Sequence, residues 1–565
     1  MFRHLCKPRT GIFLVLVSVL MVFFGTTGLC DQVAVGTEGM VTSAHELASA
    51  AGAEILAAGG NAIDAAVATA FAITVVKPDE SSLGGEGYMV LSLADGRDVA
   101  IDCRSWAPGH VTIDTNVRAK PYYGPTATCI PGLVAGLTLA LNEYGTMTLE
   151  KVMAPAIRIA REGFPLDDVL FTALSTVYDA LVDDPVVGPV YFPDGVIPEP
   201  GSLMVNRDLA HALELISEQG AHALYHGEIA DAIVAAMNGW ITHSDLQRYQ
   251  AVEHEPITSY YHGYAIIGAP PIVAGIVVAE TLNILENFDL SAYGSWDDPT
   301  AIHLISQALL LASADRIRYI GDPDVYDVPI EGLLSEEYSR SRAALIDPEQ
   351  AIKPTQDAPV GDPNTPVSVD ANNSTTHISV LDKYGNAVSI TQTISSMWGS
   401  RDMIPGYGFF MNNELHNFNN YDPDYPDDVN VVGPYKRPRT VLAPTVVRNS
   451  RGEVFLVVGT PGGGRIPSTV TETIINVIDF GMSLEEAMRV PKFCSRVVYP
   501  QLQMEAGYSK DTIAALKALG HTVVTLKARG SLVGYFGGIN AIIQHDDGTM
   551  VGVGSFRRAG GAAGP

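Results

Sequence analysis
Two runs in which polar and apolar side chains alternate, Thr376–Leu381 and Ala387–Thr391, flank a short gap holding Lys383-Tyr384-Gly385. Period-two alternation on both sides of a Gly-containing gap specifies two strands joined as a hairpin. Thr375 lies nine residues before Tyr384 and Thr393 nine after it. An in-register antiparallel pairing therefore sets these threonines opposite each other, with Cβ atoms roughly 4.5 to 5.5 Å apart. A bulge at Gly385 would move the register by one residue and turn them to different faces.

A threonine hydroxyl attacks well only when a base takes its proton, and the chain has no Gly-x-Ser-x-Gly elbow to supply a Ser-His-Asp arrangement. Scission of the Ser374–Thr375 peptide bond offers another route, because Thr375 would then carry a free α-amino group beside its own hydroxyl. An unperturbed α-amine has a pKa near 7.7 to 8.0, so roughly a tenth to a fifth is neutral at pH 7 and able to act as base. The competing reading of Thr375 is an ordinary strand start, which threonine favours.

The Thr375-Thr376-His377 segment with its Gly385-Asn386 hairpin resembles the γ-glutamyltransferase (γ-glutamyltranspeptidase) family of N-terminal-nucleophile hydrolases, and the resemblance runs from about residue 39 to the end. It implies an α+β fold, a four-layer αββα sandwich formed by two autoproteolytic fragments. The large fragment would span 31–374 and the small catalytic one 375–565. Carried over, Thr375 is the cleavage site and nucleophile, and Thr393 is its hydrogen-bond partner.

The rest of the expected site is scattered. Arg104-Ser105-Trp106-Ala107-Pro108 fits the family segment whose Arg holds the substrate α-carboxylate, and a guanidinium can grip a carboxylate bidentately. In Phe410–Phe418, Glu414 falls where the family binds the donor's α-amino group. Asn417 falls where the family has Asp, so a charge that would pair with an ammonium is missing. Thr440 and Val441 stand where two adjacent Ser usually meet the α-carboxylate, and Ser395 stands where many members carry Asn. The stretch 419–433, a lid in some members, is short. Gly462 and Gly463, after the strand Val454–Val458, lack the Lys of a phosphate loop; their consecutive N–H groups suit an oxyanion hole, the family's use of a Pro-Gly-Gly.

Elsewhere the chain reads as scaffold. Gly39–His45 reads as a short strand and turn, residues 46–58 as a helix ending at Gly59-Gly60, and Asn61 caps an Ala/Val-rich helix that ends before Pro78. His45 is a hydrogen-bonder at a helix start. Ser82–Met89, with its glycines around Glu86, reads as close backbone packing. Residues 140–350 read as alternating helices with no site among them, and Lys353–Asn373, with four prolines, as a flexible tail ending at the scissile bond.

Residues 1–30 carry Arg3, Lys7 and Arg9, then the apolar run Ile12–Phe24 broken only by Ser18. That is a secretory signal, shorter than the roughly 20 residues that span a bilayer. The protein is expected to be exported, periplasmic or extracellular, and to touch a membrane only if this segment is retained. With 565 residues, 47 % hydrophobic and 17 % charged, the chain buries a large core. A formal charge of -28 without a basic stripe argues against nucleic acid. Of five cysteines, Cys6 belongs to the signal and Cys30 depends on where it is cut, and Cys103, Cys129 and Cys494 give no disulfide framework. No Cys/His or His/Glu cluster has zinc spacing and Asp-rich 421–428 lacks the pattern of a calcium loop, so no metal and no cofactor are expected.

The expected activity is hydrolysis of a small-molecule γ-glutamyl amide, glutathione and its conjugates included, through a Thr acyl-enzyme. Transfer would go to water or to an amino acid or peptide acceptor, in a heterodimer of the chain's own fragments. A glutaryl- or cephalosporin-type acylase, a poly-γ-glutamate depolymerase and an uncut, inactive binding protein are the alternatives.

Overall fold
A computed structural model describes residues 32–352, 374–526 and 536–565. The N-terminal segment and the Lys353–Asn373 tail, with the expectations placed on them, lie outside the described residues.

The first strands are β1 Val33–Gly36, β2 Gly39–Ser43, β3 Glu86–Ser92, β4 Asp98–Cys103, β5 Phe164–Pro165, β6 Leu203–Met204 and β7 Val252–His254. There follow β8 Ile257–Tyr261, β9 Tyr264–Gly268, β10 Thr376–Asp382, β11 Ala387–Thr393, β12 Thr445–Arg448 and β13 Val454–Gly459. The last are β14 Phe493–Arg496, β15 Tyr499–Glu505, β16 Val523–Leu526, β17 Asn540–Gln544, β18 Met550–Val553 and β19 Gly561–Ala563.

Two seven-stranded sheets organise the molecule. One runs β19-β2-β10-β11-β3-β4-β7, the other β1-β18-β17-β13-β12-β9-β8. They face each other: the Ser379 hydroxyl of β10 donates to the carbonyl of Asn540 on β17 at 3.1 Å, and Ser389 of β11 to Val458 of β13 at 3.3 Å. Helices cover both outer faces. Glu46–Ala57 and Ala62–Val76 pack on the first sheet through Val41, Ile378, Val380 and Ile390. Gly275–Leu285, Pro299–Tyr319 and Ile466–Ile478 pack on the second through Ile266, Val447, Leu456 and Ile543. The architecture is the four-layer αββα sandwich. Because β10 and β11 are covered on both faces, every residue in them is buried.

Local chemistry sets the boundaries. His45 caps the first helix, its Nδ1 accepting from the Leu47 N–H at 3.1 Å, and Asn61 with Asp64 forms a capping box on the second. The β10–β11 turn is held by Asp382, whose carboxylate accepts from the Tyr384 and Asn386 N–H groups at 2.9 Å each and from Ala62 N–H at 2.9 Å. Gly385 takes φ 93°, which costs glycine nothing, and the pairing stays in register about Tyr384. Cys103, Cys129 and Cys494 are buried and unpaired.

Residues 140–350 are not helical throughout. β8 and β9 are joined by His262 and Gly263 at φ 48° and 82°, a tight turn with both central residues left-handed, and they extend the second sheet. β7 adds to the first sheet beside β4. The Ile257–Tyr261 burial pattern alternates residue by residue, as period-two strands do.

Candidate active site
The β10–β11 register pairs Thr376 with Gln392 and continues by one step to Thr375 opposite Thr393. Their hydroxyls are 3.2 Å apart, in a setting that leaves Thr375 5 % and Thr393 2 % exposed. Thr393 also donates to the Ser374 carbonyl at 2.5 Å and accepts from the Ser395 N–H at 2.9 Å. The Thr375 hydroxyl lies in hydrogen-bond contact with the same Ser374 carbonyl. Ser374 is fully buried and tied down by its own hydroxyl to the Asp79 carbonyl at 2.7 Å. A hydroxyl seated against the preceding carbonyl, with a second hydroxyl polarising that carbonyl, is a geometry in which an N-to-O acyl shift can start.

The row of side chains does not stop at Thr393. β11 pairs with β3 so that Thr393 stands opposite Glu86. The β3–β4 register pairs Gly87 with Cys103, and one further step sets Glu86 opposite Arg104. Thr375, Thr393, Glu86 and Arg104 thus form one transverse row on the face turned toward the second sheet. Arg104 is fully buried and ion-paired with Glu86 and, at 3.3 Å, with Glu414; it also donates to the Pro438 carbonyl at 3.1 Å. Glu86 accepts from the Ser105 N–H at 2.8 Å, and the Tyr249 hydroxyl donates to the Arg104 carbonyl at 2.8 Å. Sequence reading missed Glu86 because its neighbours are glycines. The available signal was that a charged residue opening a wholly buried strand needs a partner.

Glu414 and Asn417 come together on a short 3-10 turn. Asn417 donates to Glu414 at 2.5 Å and to the Ser395 hydroxyl at 3.4 Å, so Ser395, Asn417, Glu414 and Arg104 form one chain of contacts beginning beside Thr393. Ser395 adopts φ 76°, followed by Trp398 at 66° and Arg401 at 67°, a run of left-handed non-glycine residues of the kind that gathers at sites. The 419–433 stretch folds back on this cluster through Asn430, which donates to the Asn417 carbonyl at 2.7 Å. Thr440 and Val441 lie two and three residues beyond Pro438. The Thr440 carbonyl accepts from Arg316 at 2.6 Å, and Val441 packs among apolar neighbours.

Gly462 and Gly463 are placed by counting along facing strands. Ser379 lies against Val457, and the His377 ring against Gly459, where an added Cβ would come within 2.2 Å of it. Two residues back along β10 matches two forward along β13, so Thr375 is aligned with Pro461 and the Pro461-Gly462-Gly463 turn. Gly462 has φ 139° and Gly463 φ 54°.

His377 is not placed to serve Thr375 as base. Its Nδ1 is 2.9 Å from the Thr391 hydroxyl and its Nε2 3.0 Å from that of Ser379, and burial pushes its pKa down to about 3. Behind Ser374, burial pushes the Asp79 carboxyl up to about 7 despite Lys77 at 3.9 Å. Among the described residues no group of three or more His, Cys, Asp or Glu is placed to hold a metal, and no helix is long and apolar enough to cross a membrane.

Comparison with known proteins agrees with this geometry. The family model described as gamma-glutamyltranspeptidase matches residues 48–565. The chain is 38 % identical over 518 residues to a glutathione hydrolase proenzyme of Escherichia coli, covering 87 % of each. It is also 38 % identical over 543 residues to the acylase ACY 1 proenzyme of a Pseudomonas species, covering 93 % of each. The crystal structure of a cephalosporin acylase from Bacillus halodurans superposes with a TM-score of 0.84 at 29 % identity, over 100 % of this chain and 99 % of that one. By sequence across nearly its whole length, and by the sandwich that carries Thr375, the chain belongs to the gamma-glutamyltranspeptidase family.

Proposed function
We propose that the chain is a self-processing threonine amidohydrolase that cleaves γ-glutamyl amides. The observation that carries this reading is the buried Thr375 hydroxyl, paired with Thr393 and set against the carbonyl of Ser374. Thr375 Oγ attacks that carbonyl carbon, the peptide nitrogen leaves as the Thr375 amine, and an ester joins Ser374 to Thr375. Water hydrolyses the ester, leaving a carboxylate on Ser374 and a free α-amine on Thr375. In the mature protein this amine takes the Thr375 hydroxyl proton as the oxygen attacks the donor amide. Thr393 orients the hydroxyl, and the Gly462 and Gly463 amides face the developing oxyanion. The donor's amine leaves, and water or an amino acid or peptide amine takes the acyl group. Arg104, Glu414, Asn417 and Ser395 form the donor end, with Thr440 and Val441 on the adjoining segment.

Names among the relatives support both a glutathione hydrolase and an acylase reading. The basic and then apolar N-terminus supports action outside the cytoplasm. Thr375→Ala should give one uncut chain on a denaturing gel and no amidase activity, while Thr375→Ser keeps two bands and measurable turnover. A two-band, active Thr375→Ala protein would refute the scheme.

A further inference from the structure
The charges at the donor end do not balance. The Arg104 guanidinium faces two carboxylates, Glu86 and Glu414, all three at most 1 % exposed. A second guanidinium, Arg437, is taken up by Asp102 at 3.2 Å, Asp322 at 2.9 Å and Asp324 at 2.6 Å. Glu414 uses one oxygen on Arg104 and Asn417, and its other oxygen, Oε1, is buried without a hydrogen-bond partner. A buried carboxylate oxygen with nothing donating to it is costly unless a ligand brings a donor.

From these contacts we infer that Glu86 sets donor specificity: it occupies Arg104 from within the protein, so the subsite favours an acyl group ending in an ammonium over one ending in a carboxylate. Glu86 stands between Thr393 and Arg104 in the transverse row, so an acyl group esterified to Thr375 and running along that row meets the Glu86 carboxylate before it reaches the guanidinium. A carboxylate there has to displace Glu86 or share Arg104 with two other anions, in a medium where like charges repel strongly. An ammonium instead finds Glu414 Oε1 and makes a charge-assisted hydrogen bond. Donors carrying both groups, as γ-glutamyl does, gain one contact and lose the other. Glu86 acts on binding through Arg104 and takes no part in the chemical step.

This inference rests on Thr375 being the nucleophile. The test uses the purified, processed protein and four p-nitroanilides: 4-aminobutyryl, with the ammonium alone; glutaryl, with the carboxylate alone; γ-glutamyl, with both; and butyryl, with neither. In the wild type, kcat/KM for 4-aminobutyryl should exceed that for glutaryl at least tenfold, with γ-glutamyl between them. Glu86→Gln should shrink that ratio at least tenfold, mainly through a lower KM for glutaryl and γ-glutamyl. Equal or faster turnover of glutaryl by the wild type, or a ratio that Glu86→Gln leaves within twofold, overturns the assignment to Glu86. Should the variant remain a single uncut chain, the wild-type ranking of the four substrates decides by itself. A wild type that stays uncut and splits none of the four overturns the Thr375 reading, and this inference with it.

Discussion
The Thr393 hydroxyl has its direction fixed twice, by donating to the Ser374 carbonyl and by accepting from the Ser395 N–H. Thr393→Ala removes that donor, and conversion of one band to two should slow by about 10² to 10³ in a gel time course. Thr393→Ser should restore most of the rate; processing of the alanine variant at the wild-type rate would show that something else activates the carbonyl. His377 makes a prediction about pH. Its pKa in the folded protein, about 3, lies below the ordinary 6.5, so its stabilising contribution is full above pH 6.5 and is lost as pH falls toward 3. At pH 5 the loss is about 2 kcal/mol. Asp79, raised to about 7, has the opposite sign: its contribution is full below 3.8 and is lost as pH rises through 7. The difference between the wild-type residue and His377→Gln isolates the histidine. Measured by denaturant unfolding in an uncut Thr375→Ala background, it should shrink by about 2 kcal/mol from pH 7 to pH 5, and a constant difference contradicts this. At this scale the sequence was legible where chemistry repeats a local pattern. Thr375 and Thr393 fell opposite each other because hairpin register is arithmetic, whereas Glu86 and Tyr249 escaped notice because their common partner Arg104 is 18 and 145 residues away in sequence.

Elements with their own caps and turns were readable, and elements defined by a distant neighbour were not. His45 and Asn61 each cap the helix their local sequence announces. β7, β8 and β9 lie among helices, so their short alternation was outweighed by its surroundings, although the His262-Gly263 turn was a local cue. The Pro461-Gly462-Gly463 turn carries the element-scale prediction. Gly462 at φ 139° occupies a region costing other residues on the order of 1–3 kcal/mol, and an added Cβ would come within 3.2 Å of the Gly537 backbone. Gly462→Ala should therefore rotate an N–H away from the oxyanion and lower kcat by about 10² to 10³. Steady-state kinetics on γ-glutamyl-p-nitroanilide checks this, and an unchanged kcat would remove the turn from the mechanism.

At the scale of the whole molecule, segments from either side of Thr375 alternate within both sheets. β10 and β11 lie between β2 and β3, and in the second sheet β1 and the β9–β8 pair flank β18, β17, β13 and β12. Cutting the chain before Thr375 removes no strand from its neighbours. The processed protein should run as one species on gel filtration and as two bands only after denaturation; fragments that separate in native buffer would contradict this interleaving. The same interleaving would make the scission a point of no return. An unfolded precursor can regain its shape alone, at a rate indifferent to dilution, whereas two severed pieces must first collide, so recovery after denaturation should fall steeply on dilution.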